Sequence, residues 1–288
     1  MTKYIRLILL LLPFGLLAQM PKTDVYMAEI DDIWHSPKLT KLTYLNHFNQ
    51  NGYNNQARFV NDQEIYLTVA TDLSDKTDIY ALNPGKSTYY YVTQTQGISE
   101  FSAIPYQNSL ATVRIEADGT DQSLWLYPMD RSHAGSRLFP ALKNIGYFAY
   151  LDENRVALFL VGKPHQLAIG DIKSSEISII TENIGRCLKT NGKGILYFVD
   201  KTQKDIWVLK QYDTQEKTIQ TIQQMPTGSE DFDLTDGLFI TTQGSKILSL
   251  NGKSSKDWEE IMDFSGFNIS NINRPSVYKN KIIFINNK

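Results

Sequence analysis

Short apolar runs separated by polar turns recur along the whole chain, and the stretch 97–130 is the clearest example. Its three apolar runs occupy residues 101–104, 110–115 and 124–127. Pro105 interrupts the chain after the first run, and the Asp118-Gly119 pair can supply the positive φ angles of a tight hairpin after the second. The pattern predicts a meander of three antiparallel strands, to which residues 137–142 could add a fourth.

The middle run of this stretch has six copies along the chain, each preceded by a polar turn. The copies occupy residues 64–70, 109–115, 155–161, 194–200, 237–243 and 281–287. Their first residues are separated by 45, 46, 39, 43 and 44 positions. A regular period of about 40–50 residues built from short strands is typical of β-propeller blades.

The third run is repeated as well, and its distribution predicts how the ring closes. Copies follow five of the six middle runs, at residues 78–83, 123–128, 166–171, 205–210 and 246–251. The sixth copy is at the other end of the chain: residues 24–30 resemble 78–83, and residues 41–48 resemble the fourth-strand segments. We therefore expect an all-β, six-bladed propeller of four-stranded antiparallel blades, with the N-terminal strands completing the last blade. Such closure removes open sheet edges.

The middle runs are apolar at successive positions, as in VALFLV at 156–161, rather than alternating. A strand covered on both faces by neighbouring blades should have this composition. The segment 218–225 is more polar and suits an outer edge. The segment 257–264 has an apolar spacing that also suits a helical turn, but its register with the repeat favours a strand.

Composition and the N-terminus indicate the class of protein. The 288 residues carry a net charge of −2 without a basic run, which argues against nucleic acid as a partner. Residues 1–19 resemble a signal peptide, with Lys3 and Arg6 before an apolar run and a cleavage point after Ala18; an uncleaved anchor is the alternative. Residues 20–288 are then one propeller domain, periplasmic or secreted, with no membrane span after cleavage. The single cysteine, Cys187, is expected to be a small buried hydrophobe rather than a reactive thiol.

The segment GISEFSAIPYQNSLATVRIEADGTDQSLWLYPMD (97–130) resembles the repeat of TolB-type six-bladed propellers. Blades of that family carry P-x-W-S-P-D-G, an apolar strand, a polar hairpin and a strand like DLYVMD. Here residues 102–105 stand where the family has Ser-Pro, and Asn108-Ser109 replaces its Asp-Gly turn. The match is strongest in blades 1 and 2, and the period extends it over residues 24–288. The resemblance implies the fold, whereas function does not follow from a fold shared by many proteins.

The first strand of each blade should line the central channel, so the residues that begin these strands are candidates for a binding site. A glycine precedes five of the six first strands, and we expect it to supply special backbone angles there. The candidate ligand-binding residues are Asn55, Glu100, Tyr147, Arg186, Glu230 and Arg274. Arginines at one mouth could bind a carboxylate or a peptide. The alternative is that these charges pair with one another and only stabilise the ring.

Signatures of catalysis are few. The four histidines are scattered over different blades without paired spacing, and there is no G-x-S-x-G motif, so no catalytic residue, metal or cofactor is predicted. Asp72, Asp75 and Asp78 fall in one hairpin but lack the dense spacing of a calcium loop. The sequence favours a monomeric, non-enzymatic binding or scaffold protein of the cell envelope, with a protein, peptide or small ligand at the channel mouth. The alternative is a metal-dependent propeller enzyme, similar to a lactonase or cyclotransferase, with its site in the channel.

Overall fold

A computed structural model describes residues 20–33, 35–130, 132–252 and 257–288. The described part begins with β1 (Thr23–Asp31) and β2 (Lys38–Tyr44). Blade 1 consists of β3 (Tyr53–Asn61), β4 (Glu64–Ala70), β5 (Asp78–Asn83) and β6 (Thr88–Tyr91). Blade 2 consists of β7 (Ser99–Tyr106), β8 (Ser109–Ile115), β9 (Gln122–Pro128) and β10 (Ser136–Arg137). Blade 3 consists of β11 (Ile145–Tyr150), β12 (Arg155–Leu160), β13 (Gln166–Asp171) and β14 (Ile177–Glu182).

Blade 4 consists of β15 (Ile184–Thr190), β16 (Ile195–Gln203), β17 (Ile206–Asp213) and β18 (Thr218–Gln224). Blade 5 consists of β19 (Phe232–Thr235), β20 (Leu238–Gln243), β21 (Lys246–Asn251) and β22 (Glu259–Asp263). The last strands are β23 (Ile272–Tyr278) and β24 (Lys281–Asn287). Within the described ranges, the helical segments are two single 3-10 turns, His47–Asn49 and Ser265–Phe267. In the same ranges, no helix has the length and apolarity needed to cross a membrane.

Blade 6 is completed by strands from both ends of the described chain, in the order β23-β24-β1-β2. Strand β1 pairs with β24 in antiparallel register from Thr23–Asn287 to Glu29–Lys281. The predicted closure of the propeller by the N-terminal strands is therefore confirmed. The predicted signal segment, residues 1–19, lies outside the described residues.

Packing between blades explains why the middle strands are apolar on both faces. Six clusters of buried side chains lie one between each pair of neighbouring blades. In β24, for example, Ile282 and Phe284 pack towards blade 5, whereas Ile283 and Ile285 pack towards blade 1. Burial of apolar surface on both faces of a strand is the main force that holds successive blades together.

Two predicted outer strands differ from the structure. The strand expected over 137–142 is only Ser136–Arg137, because the chain then turns and buries Phe139 between blades 2 and 3. A Cβ at Gly170 of β13 would collide with the Phe139 ring, so the glycine makes room for it. The segment 41–48 is a strand only as far as Tyr44, after which the chain enters its first 3-10 turn. The segment 257–264 does form a strand, β22.

The expectation that a glycine gives special backbone angles before five inner strands holds for only two of them. Gly97 and Gly228 have φ angles of +74° and +80°. Gly146 and Gly185 lie inside β11 and β15 instead. Gly52 is required for space, because a Cβ there would collide with the carbonyl oxygen of Ala70.

Candidate binding site in the central channel

The inner strands of all six blades surround a cavity of about 110 Å³ on the propeller axis. Each blade contributes residues from the middle of its inner strand, or from just before it in blade 5. One residue from each blade, in ring order, is Gln56, Ser102, Tyr147, Arg186, Asp231 and Arg274. The channel is thus lined by polar and charged groups, whereas the spaces between blades are apolar.

Irregular strand pairing brings these residues to the channel. In five of the six inner strands, the exception being β19, the pairing register with the second strand of the same blade shifts near the axis. Gln56, Ser102 and Arg274 adopt left-handed backbone conformations, with φ angles of 54°, 55° and 51°. They belong to three successive blades. A bulge of this kind redirects a side chain and is common next to functional sites.

Arg274 reaches across the axis to Tyr147. The Nη2 group of Arg274 donates a hydrogen bond of 2.9 Å to the hydroxyl of Tyr147, and the guanidinium carbon lies 5.4 Å from the centre of the ring. These residues belong to blades 6 and 3, which are opposite each other in a ring of six. The contact therefore spans the channel.

Arg186 is held in an ion-pair network at the end of the channel where the inner strands begin. Its Nε and Nη2 groups donate hydrogen bonds of 3.0 and 2.6 Å to the two carboxylate oxygens of Asp231. Its Nη1 lies 3.4 Å from Glu230, whose other oxygen is 3.1 Å from Lys201 Nζ. Burial opposes ionisation of Asp231, but the hydrogen bonds from Arg186 and the positive charges of Arg274 and Arg186 together outweigh it and lower the pKa of that carboxyl.

Tyr53, the first residue of β3, lies beside this group. Burial raises the pKa of its hydroxyl, while the positive charges of Arg274 and Arg186 act in the opposite direction. We call the end of the channel formed by Tyr53, Tyr147, Arg186, Glu230 and Arg274 the entry mouth. Tyr53 was missed by the sequence reasoning, although it directly follows Gly52 at the start of an inner strand.

The structure brings four of the six predicted site residues together at the entry mouth: Tyr147, Arg186, Glu230 and Arg274. Asn55 lies in β3, two residues after Tyr53, but is buried, and its Oδ1 accepts a hydrogen bond from the backbone N–H of Gln56. Glu100 does not reach the channel. It is fully buried between blades 1 and 2, where its Oε1 accepts a hydrogen bond of 3.2 Å from Tyr127.

Burial raises the pKa of Glu100 to about 7, and the nearby negative charge of Asp78 adds to this effect. The side chains of Thr95, Thr93 and Tyr127 beside the carboxyl act in the opposite direction without cancelling the effect of burial. Such a position fits an inter-blade contact rather than a ligand contact.

Cys187 lines the channel cavity from β15, and its Sγ lies 3.1 Å from the carbonyl oxygen of Phe232. Burial raises the pKa of the thiol to about 12, so the thiolate needed for nucleophilic chemistry is strongly disfavoured at neutral pH. In residues 20–33, 35–130, 132–252 and 257–288, no group of three or more His, Cys, Asp or Glu side chains is arranged to hold a metal ion.

Comparisons with solved structures identify the fold. The chain superposes on the structure of a putative TolB from Agrobacterium tumefaciens with a TM-score of 0.63 and 9% identity, over 93% of this chain and 99% of that chain. A chain from a crystal structure of a nidogen/laminin complex gives a TM-score of 0.60 and 12% identity, over 82% of this chain and 92% of that chain. No protein-family model and no curated protein matches the sequence. The protein therefore has a TolB-like six-bladed propeller fold.

Proposed function

We propose that the protein is an exported, non-enzymatic binding or scaffold protein of the cell envelope that holds a protein segment, a peptide or a small ligand at the entry mouth. The observation that carries this proposal is the grouping of Tyr53, Tyr147, Arg186 and Arg274 from separate blades around one opening. Aromatic and arginine side chains are enriched among the residues that dominate binding energies. Arginine and tyrosine also present donors that fit peptide and carboxylate groups.

Two further observations support the proposal. Residues 1–19 have the composition of an export signal. One of the similar propeller chains comes from a complex between two proteins, nidogen and laminin, which is a precedent for protein binding by this fold.

Site-specific photo-crosslinking tests the location of the binding surface. A photoreactive amino acid replaces Tyr53 at the entry mouth or, as a matched control, Tyr90 on the exposed outer strand β6. We expect irradiated cells to give an adduct from position 53 that position 90 does not give, or a small molecule that copurifies with the wild-type protein in native mass spectrometry. The proposal fails if position 53 gives no specific adduct and no ligand copurifies.

Export has a separate test. The full chain and a chain that starts at Met20 are expressed in a bacterial host, and their distribution between cytoplasm and envelope fractions is measured. We expect the full chain to leave the cytoplasm with a new N-terminus near Gln19, and the shortened chain to remain inside. Equal distribution of the two chains would contradict the export assignment.

A further inference from the structure

We propose that the entry mouth recognises a carboxylate, which binds in the channel between Arg274 and Arg58. This inference rests on the proposed binding function and specifies the chemistry of the ligand. Both arginines line the axial cavity, Arg274 from β23 and Arg58 from β3 of the adjacent blade. The following contacts and charges support it.

The channel and its immediate surroundings contain more cationic than anionic side chains. Five cationic side chains lie there: Arg58, Arg186, Lys189, Lys201 and Arg274. The carboxylates beside them are Glu230, Asp231 and Asp233. Lys189 Nζ lies 2.7 Å from Asp233, while Lys201 pairs with Glu230 and Arg186 with Asp231.

This pairing leaves Arg58 and Arg274 without a carboxylate in direct contact. In the described part of the chain neither arginine forms a direct ion pair with an Asp or Glu side chain; the charge of Asp231 acts on Arg274 from beyond ion-pair distance, and that carboxylate is already paired with Arg186. An arginine in a partly desolvated cavity without a directly paired carboxylate is costly, and an incoming anion would relieve that cost.

The contact that Arg274 now makes is weaker than the contact a carboxylate would offer. Its Nη2 donates to the neutral hydroxyl of Tyr147 at 2.9 Å. A guanidinium can form two parallel, charge-assisted hydrogen bonds to a carboxylate, which are stronger and more directional. A bound carboxylate can therefore replace the hydroxyl as the principal acceptor.

The backbone of Arg274 is itself unusual. Its φ angle is 51°, and the next residue is Pro275. A non-glycine residue in the left-handed region is uncommon, and a residue before proline favours an extended backbone. Strained residues that persist in a fold cluster at ligand-binding positions. Here the strain places the guanidinium on the axis.

The size of the cavity limits what can enter it. Its volume of about 110 Å³ is well below the roughly 300–1,000 Å³ of pockets that enclose a drug-sized ligand. It can therefore admit a carboxylate group, whereas the rest of the ligand must remain at the entry mouth beside Tyr53. The carboxylate can belong to a small free acid or to an acidic side chain of a peptide.

Isothermal titration calorimetry with three ligands separates these sources. The ligands are succinate, acetyl-Gly-Gly-Asp-amide and its neutral counterpart acetyl-Gly-Gly-Asn-amide. The variants are Arg274→Gln and Arg58→Gln, with Arg155→Gln as the control, since Arg155 pairs with Asp152 on the surface of blade 3. Arg274→Gln is compatible with the fold, because Gln56 already adopts the same left-handed conformation at a bulge in blade 1. Thermal unfolding monitors the integrity of each variant.

We expect at least one of the two carboxylate ligands to bind, with at least tenfold lower affinity for Arg274→Gln and Arg58→Gln and unchanged affinity for Arg155→Gln. Preference for succinate or for the aspartyl peptide then identifies the source of the carboxylate. The inference is overturned if neither acid binds at millimolar concentration, if the Asn peptide binds as well as the Asp peptide, or if Arg274→Gln binds like wild type. Specific adducts from position 53 would still support the proposed function in each of those cases.

Discussion

Blade 1 contacts blade 6 on one side and blade 2 on the other. At both interfaces a threonine hydroxyl donates a hydrogen bond to a backbone carbonyl of an inner strand, but the side chains around that bond differ. On the blade 6 side, the Thr23 hydroxyl donates a hydrogen bond of 2.7 Å to the carbonyl of Asn54. On the blade 2 side, the Thr77 hydroxyl donates one of 2.9 Å to the carbonyl of Glu100. Asn54 and Glu100 are each the second residue of an inner strand, and both are fully buried. The side chain at this position is an amide at the interface with blade 6, which we call the amide side, and a carboxyl at the interface with blade 2, which we call the carboxyl side.

On the amide side, the donor and acceptor groups of the Asn54 side chain all have hydrogen-bond partners. Asn54 Nδ2 donates to the carbonyl oxygens of Thr23, Asn49 and Gly52, and its Oδ1 accepts from Asn49 Nδ2 at 3.0 Å. The Oδ1 of Asn46 also accepts a hydrogen bond from the backbone N–H of Val25. These neutral groups keep their hydrogen bonds at any ordinary pH. They join strand β1 of blade 6 to blade 1, whose inner strand β3 follows β2 along the chain.

On the carboxyl side, the hydrogen bonding of the Glu100 side chain is incomplete. Glu100 Oε1 accepts from Tyr127, whose hydroxyl also accepts from Arg114, but Oε2 has no hydrogen-bond partner within the described part of the chain. Burial without full pairing raises the pKa of Glu100 to about 7. Ionisation of this carboxyl therefore opposes folding.

Deletion of residues 20–46 should have the largest effect, because it removes β1 and β2, and with them the pairing with β24 that closes the ring and the donors and acceptors that contact blade 1. The loss exposes one edge of β24 and part of two buried clusters. We expect a loss that exceeds a typical net stability of about 5–15 kcal/mol, and hence an unfolded or aggregated product. Size-exclusion chromatography and circular dichroism measure it against a chain starting at Met20. A shortened chain that remains monomeric and unfolds at the same temperature would refute closure by these strands as a source of stability.

Asn54→Asp should convert the amide side into a carboxyl side. The new oxygen would face the three carbonyl oxygens to which Nδ2 now donates. We expect a loss of about 3–5 kcal/mol at pH 7, partly recovered at acidic pH as the carboxyl becomes protonated. Urea unfolding of the variant and of Asn51→Asp, an exposed neighbour, provides the comparison. Equal stability of the two variants would show that the buried amide network does not hold the interface.

Glu100→Gln should remove the pH dependence of the carboxyl side. The pKa of Glu100 is about 7 in the folded protein against an ordinary value of 4.5, so the folded state binds the proton more tightly. Its contribution to stability is therefore fully present below pH 4.5 and is lost as the pH rises through 7. The loss amounts to up to about 3 kcal/mol, at 1.36 kcal/mol per pKa unit.

Urea unfolding at pH 5 and pH 8 measures this effect. We expect wild type to lose more stability than Glu100→Gln between the two values, and Glu153→Gln, on the exposed surface of blade 3, to behave like wild type. If Glu100→Gln and wild type lose the same stability between pH 5 and pH 8, the buried carboxyl does not govern the interface.

The repeat made most of this fold predictable, because every blade has the same local requirements. All six middle runs form strands, since a run that is apolar at successive positions needs cover on both faces. The segment around Phe139 was not predictable in the same way. Its course depends on the space above Gly170 in the neighbouring blade, and a long-range fit of this kind leaves no local pattern in the sequence.

The candidate site was predictable only in part. We predicted that the residues at the beginning of the inner strands face the axis. This holds for Tyr147, Arg186 and Arg274, but it fails for Glu100, which was selected for the same reason. The side that a residue faces depends on the bulges, and a left-handed conformation at Gln56, Ser102 or Arg274 has no signal in residue type. Glycine or asparagine would have indicated such a conformation.

A pair of threonine substitutions gives the smallest predicted effect and the most direct comparison of the two interfaces. The Thr23 hydroxyl makes two bonds of 2.7 Å with Asn54, to its carbonyl and from its N–H, whereas the Thr77 hydroxyl makes only the bond to Glu100 O. Thr23→Val should therefore leave two buried backbone groups unpaired and cost about 2–3 kcal/mol, against about 1–1.5 kcal/mol for Thr77→Val.

Thermal and urea unfolding measure the two variants, with Thr40→Val as the control because its hydroxyl bond to Glu29 O is exposed to solvent. Valine keeps the shape of threonine, so packing is nearly constant and the difference reports the hydrogen bonds. A larger loss for Thr77→Val would mean that the contact beside the carboxyl contributes more than the contact between β1 and blade 1. The asymmetry between the two sides of blade 1 would then have to come from Glu100 rather than from the Asn54 network.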